Sequence, residues 1–165
     1  MLSDIDREFC GWFWGEGSFM ITHGGAYQGR KIGFFFAKIS VTQRDDDVEM
    51  LKWCQKRFGG YLTLRSTVSP SLKRSGYMAN PRLTWEANGF KMCEQIVKIL
   101  EQSISPTRKR KEMEIFKKFL ATKQTSRTKR FSQELYNLRL SIKEELSEFK
   151  RYKTQNHTKN DFNLK

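Results

Sequence analysis

FCGWFWGEGS, residues Phe9 to Ser18, crowds five apolar side chains around one glycine and then sets a single carboxylate, Glu16, between Gly15 and Gly17. Just upstream, Ser3 or Asp4 supplies a helix cap, and acids fill the first turn, where the helix dipole favours them. The run SDIDREFCGWFWG therefore reads as a helix. It is apolar nearly all round from Phe9 to Trp14, so burial on most sides is expected. Glu16 then falls at the carboxyl end, where the dipole is negative and unpaired carbonyls crowd together. Stability favours Lys, Arg, Asn or Gly at such a place. Two readings of Glu16 stand: an exposed turn residue, or a catalytic group that binds a cation. Carboxylate and carbonyl oxygens together form a hard-oxygen set suited to Mg²⁺. Commoner glycine motifs do not fit. A dinucleotide fingerprint needs a strand before it, a helix after it and a third glycine, and a phosphate-binding loop ends in GKS or GKT.

The chain of 165 residues carries 31 Lys and Arg against 18 Asp and Glu, a net charge of +13. Such an excess is the footprint of a polyanion partner, and nucleic acid leads. From residue 101 onward 17 basic residues face 8 acidic ones, so the excess is concentrated there. An anionic membrane surface is a weaker fit, because no segment joins a basic face to a large apolar one. The acidic, polar N-terminus is unlike a secretory signal, and an intracellular protein is expected. Cys10, Cys54 and Cys93 are far apart and odd in number, which argues against a disulfide framework or a zinc site and for buried, reduced thiols. With only His23 and His157 present, a histidine-based metal site or triad is excluded as a leading reading.

Beyond the first helix, residues 18–43 read as two strands joined by a glycine-rich connection. Phe35, Ala37, Ile39 and Val41 alternate with Phe34, Phe36, Lys38 and Ser40. RDDDVEMLKWCQKRFGG is a helix with acids first, bases last and a Gly-Gly stop. YLTLR and RLTWEA form a second strand pair around a Ser/Pro/Gly-rich connection, and NGFKMCEQIVKILEQ is a third helix. The order is α-β-β-α-β-β-α. That is an α+β fold with one antiparallel sheet, helices on one face and polar side chains on the other. After Pro106 come a basic helix (TRKRKEMEIFKKFLATK), a basic link and a last amphipathic helix. One domain over residues 1–152 is expected, with a polar, frayed tail at 153–165.

FCGWFWGEGSF resembles the LAGLIDADG motif of homing endonucleases at Phe9, Cys10, Gly11, Phe13, Gly15, Glu16, Gly17 and Ser18. Trp14 departs from it, standing where many members carry an acid. The element order over residues 4–120 also matches the family core. The resemblance implies a DNA-binding saddle built from the sheet, and a site-specific endonuclease that hydrolyses one phosphodiester on each strand. It implies Mg²⁺ or Mn²⁺ held by Glu16 and the Gly15 carbonyl, and water positioned by Gln43. A basic residue among Arg108, Lys109, Arg110 and Lys111 would line the site, with Arg108 favoured. One copy of the motif implies a homodimer in which Cys10, Gly11 and Gly15 let two helices meet.

On that reading the polar sheet face enters the major groove through Met20, Thr22, Gln28, Arg30, Lys31, Lys38, Ser40, Thr63, Arg65, Arg82, Thr84 and Glu86. Arg127, Lys129 and Arg130 grip phosphates. Phe34 and Phe36 are awkward on such a face. Two other functions stay open for the same fold: a DNA-binding regulator that does not cleave, and a maturase that binds intron RNA.

Overall fold

A computed structural model of the chain describes residues 2–24, 34–44, 48–65, 82–124 and 132–160, with side chains as far as Arg151 except at Arg44 and Arg65. Its backbone groups into two compact units, Met1–Ser18 with Lys38–Ser105, and Phe19–Ala37 with Pro106–Lys165, where one domain was expected from the sequence.

Helix α1 (Asp4–Glu16) begins at a reciprocal cap. Asp6 N–H donates to Ser3 Oγ at 3.2 Å, and the Ser3 N–H and hydroxyl both donate to the Asp6 carboxylate. Two orphan donors are thereby satisfied with one pair of side chains. The helix ends when the Gly17 N–H donates to the Phe13 carbonyl and the chain turns extended into strand β1 (Gly17–Gly24). Gly17 has an ordinary negative φ of −73°, so its role is spatial. A Cβ there would strike the Phe13 ring and lie 2.6 Å from the Phe13 carbonyl oxygen.

The first unit also holds helix α2 (Glu49–Phe58), strands β3 (Tyr61–Arg65) and β4 (Arg82–Asn88), helix α3 (Phe90–Leu100) and the later part of strand β2 (Phe34–Arg44). The sheet order is β1-β2-β4-β3, with β4 antiparallel to both of its neighbours. The core of this unit is aromatic. Phe9 lies 5.6 Å from Trp53 and 5.3 Å from Phe58, and Phe58 lies 5.9 Å from Trp85. Trp85 is fully buried and keeps its one donor satisfied by the Gly59 carbonyl at 2.9 Å. The neighbouring Gly60 has φ +93°, and a Cβ there would collide with the Glu86 carbonyl, so the stop after α2 requires glycine twice over.

In the second unit, Phe19 of β1 packs on Phe116 of helix α4 (Thr107–Ala121) at 5.3 Å. Phe35 packs on Tyr136 of helix α5 (Gln133–Asn160) at the same distance. Arg139 of α5 is buried and caps the end of α4. Its Nε donates to Thr122 Oγ1 and its Nη2 to the Thr122 carbonyl, and it stands over the Phe119 ring. Helix α5 runs to Asn160, past Tyr152, where the sequence suggested a frayed tail. The polar residues there lack an apolar stripe but include no Pro or Gly to stop a helix.

All three cysteines are buried and free, as expected. Burial pushes the Cys54 and Cys93 thiols up to about 12 and raises Cys10 as well. Among the described residues, no helix is long and apolar enough to cross a membrane.

Replacing Gly17 with alanine should lower the melting temperature, at a cost of about 1–3 kcal/mol for forced repacking around Phe13. Gly15→Ala, with open space around its Cβ position, should leave it near wild type. Thermal unfolding of the two variants followed by circular dichroism checks both expectations.

Candidate functional site

Glu16 is the last residue of α1, exposed, and among the described residues its carboxylate makes no hydrogen bond or ion pair. The fold thus holds an unneutralised charge at the negative end of a helix dipole. Gly15, beside it, is also exposed, and its carbonyl belongs to the last turn, where intrahelical partners run out. No group of three or more His, Cys, Asp or Glu stands ready to hold a metal among the described residues. A closed protein cage is therefore absent there. The donors present fit a hard divalent cation held partly by protein and partly by water and phosphate oxygens.

Gln43 is half-buried on β2, opposite Leu83 in register and one rung beyond the Val41–Trp85 pair. It therefore stands on the sheet face that carries the buried Val41 and Trp85, while Lys38, Ser40 and Thr42 stand on the polar face. Arg108 belongs to the second unit and is engaged inside it. Its Nη2 donates to the Phe149 carbonyl at 3.3 Å and its guanidinium lies 5.6 Å from the Phe149 ring. Lys109, next in sequence, turns to the buried Glu112 at 3.7 Å. The Glu112 carboxylate also lies 4.0 Å from Lys150, whose ammonium donates to the Phe19 carbonyl.

The polar face follows the alternation read from the sequence, with differences in detail. Phe36 is exposed and Phe34 stacks edge-on against it at 4.9 Å, so the two aromatics do lie outside the core. Met20 is half-buried and Thr22 exposed on β1. Lys38 and Glu86 form an ion pair at 2.6 Å with most of each side chain covered. Thr42 and Thr84 share a hydrogen bond at 2.9 Å, with Thr63 opposite Thr84. Ser40 and Thr84 are buried, because small side chains on inner strands sit below their longer neighbours. Arg82 is exposed and stands opposite both Arg44 and Arg65. Gln28, Arg30, Lys31, Arg127, Lys129 and Arg130 lie outside the described residues.

The three residues expected at a helix–helix contact divide. Gly11 and Gly15 are exposed, and a Cβ at either would meet nothing within 4 Å. Cys10 is turned into its own unit, with its thiol against the Ile99 carbonyl at 3.8 Å. Trp14 acquires a structural role that the sequence did not disclose. It is buried, and its indole N–H donates to Ser103 Oγ at 2.9 Å, which in turn donates to the Leu100 carbonyl. An indole occupies the place of the acid in the resembled motif, and the partner lies 89 residues away in sequence.

This topology is the fold of the LAGLIDADG homing endonucleases. The homing endonuclease I-TnaI superposes with a TM-score of 0.63 at 18% identity, over 94% of this chain and 99% of that one. I-SmaMI bound to an uncleaveable DNA superposes with a TM-score of 0.65 at 17% identity, over 84% of this chain and 43% of that one. The LAGLIDADG homing endonuclease I-GzeII in complex with its DNA target gives 0.58 at 17% identity, over 87% and 44%. The chain thus spans a little under half of I-SmaMI and I-GzeII, but nearly all of I-TnaI. No sequence-family model and no curated protein sequence matches it.

Trp14→Phe should remove one buried hydrogen bond and cost about 1 kcal/mol. Trp14→Asp, which restores the motif's acid, should bury an unpaired charge and abolish cooperative unfolding or cost several kcal/mol. Urea titration of both variants measures the difference.

Proposed function

We propose that this chain is a single-motif member of the LAGLIDADG homing endonucleases. It binds a long, pseudo-palindromic DNA site as a homodimer and hydrolyses one phosphodiester on each strand with a divalent metal. The observation that carries this reading is Glu16: an exposed carboxylate without a described partner, fixed at a helix end that disfavours it. The homodimer rests on the spans. One copy covers nearly all of I-TnaI but less than half of I-SmaMI, so two copies supply what the longer chain holds in one. Exposed Gly11 and Gly15, with open space around each, offer a smooth strip on α1 for a second copy to approach.

In that site Glu16 and the Gly15 carbonyl would hold Mg²⁺ or Mn²⁺, which would supply activation of water and offset charge developing on the scissile phosphate. Gln43 orients the water network. Arg108, or one of its neighbours Lys109, Arg110 and Lys111, supplies the basic group. The polar sheet face takes up the duplex, and phosphate contacts set register and orientation.

Glu16→Gln should bind the target with unchanged affinity and lose at least 100-fold in cleavage rate with Mg²⁺. A wild-type protein that binds a selected site and never cuts it would show a regulator instead, and rescue of intron splicing by the same variant would show a maturase. Gly11→Leu should keep its melting temperature yet sediment as a monomer. A wild type that is monomeric both free and on DNA would sink the dimer.

A further inference from the structure

The chain passes from the first unit to the second between Ser18 and Phe19. Phe19 therefore opens the second unit's share of β1, three residues after Glu16. Two groups of that unit hold it. Its ring packs on Phe116 of α4 at 5.3 Å. Its carbonyl accepts a hydrogen bond from the ammonium of Lys150 on α5. Glu112 lies one turn before Phe116 on the same side of α4. The Glu112 carboxylate stands 4.0 Å from the Lys150 ammonium and 3.7 Å from that of Lys109.

Stability alone does not account for this carboxylate. Only 6% of the Glu112 side chain is exposed, and its Oε2 is buried without a hydrogen-bond partner among the described residues. A buried carboxylate held at such distances recovers its lost hydration poorly, and apolar side chains of similar volume serve folding as well or better. Local rules fail most often at functional sites. What the carboxylate does achieve is to draw the Lys150 head group inward, so that 31% of that side chain is exposed. A lysine otherwise carries its ammonium out to water on a flexible stem. Lys150 is thereby committed to a backbone oxygen of the strand that continues the motif.

We propose that Lys150 is a positioning residue for cleavage: its ammonium, drawn inward by Glu112, fixes the Phe19 carbonyl, and with it the far end of the Gly17–Ser18 stretch that joins Glu16 to the second unit. The proposal rests on the endonuclease reading above, with Glu16 as the carboxylate that holds metal. Lys150 acts through the backbone and touches neither metal nor DNA. Releasing Phe19 lets the Glu16 carboxylate wander from its reacting geometry, and a displacement of about 1 Å at such a centre costs on the order of 100-fold in rate.

The test uses the full chain with Mg²⁺ and a cleavable duplex selected with wild type from a randomised library. Lys150→Met should lower kcat about 10- to 100-fold, with affinity for the duplex within about twofold of wild type. Lys150→Arg, which keeps a cationic donor, should recover part of the lost rate. The double variant Glu112→Met/Lys150→Met should keep or raise the melting temperature. It should still cut as slowly as Lys150→Met, which separates positioning from stability. Amide hydrogen exchange over residues 17–20, read without DNA, should speed in both variants that lack the lysine. A Lys150→Met that cuts at the wild-type rate overturns the proposal. So does a double variant that cuts at that rate, because the single variant then suffers only from a stranded carboxylate. A loss of duplex affinity that matches the loss of rate would show a phosphate contact and also overturns it, as does unchanged exchange over residues 17–20. Each of these outcomes is read against a wild type that cuts, and so leaves the endonuclease reading standing. A wild type that cuts no member of the library removes that reading and the proposal with it.

Discussion

Gly17 sits against Phe13, whose ring occupies the space a side chain at residue 17 would need. That contact turns the end of α1 directly into β1 with no intervening loop. Phe13 is fully buried and packs with Phe9, which in turn meets Trp53 and Phe58. The carboxylate at position 16 is thus anchored from behind by the aromatic core of its own unit while remaining in water itself. Because interiors are close-packed, a small change at Gly17 is transmitted to the helix end and not absorbed locally. The three glycines of the stretch therefore serve different ends: Gly17 is demanded by this chain's own packing, whereas Gly11 and Gly15 are not.

Much of the architecture was legible in the sequence. Alternation in β2 and the caps of α1 are local signals, and local signals survive without tertiary knowledge. The position of Glu16 at a helix end was legible for the same reason, since Gly-Glu-Gly interrupts an apolar helical run. What escaped depended on distant partners. Trp14 is explained by Ser103, and Arg108 packs on Phe149, neither of which periodicity can pair. Cys10 and Gly11 look alike as small residues in the chain, but a rotation of one residue about the helix axis separates a buried thiol from an exposed glycine.

Charge also behaves differently in the two units. In the first, a covered ion pair joins β2 to β4, and its neighbours on that face are short hydroxyl side chains. In the second, bases meet acids along helices, as with Lys118 and Glu145 at 2.7 Å between α4 and α5, and Lys117 with Glu114 within α4. Exposed pairs of that kind contribute little to stability. Glu112 differs, being almost fully buried between Lys109 and Lys150, where loss of both lysines would leave a buried charge stranded. The large net charge of the chain is accordingly only part available to a partner, since some of it is spent internally.

The buried thiols carry a practical consequence. With Cys54 and Cys93 held at about 12, the reactive thiolate form near neutral pH is on the order of one part in 10⁵ at either site. Cys54 and Cys93 are therefore poor nucleophiles toward maleimides and mild oxidants so long as the fold is intact. A single cysteine introduced on the surface would then take a fluorophore or spin label without removal of either.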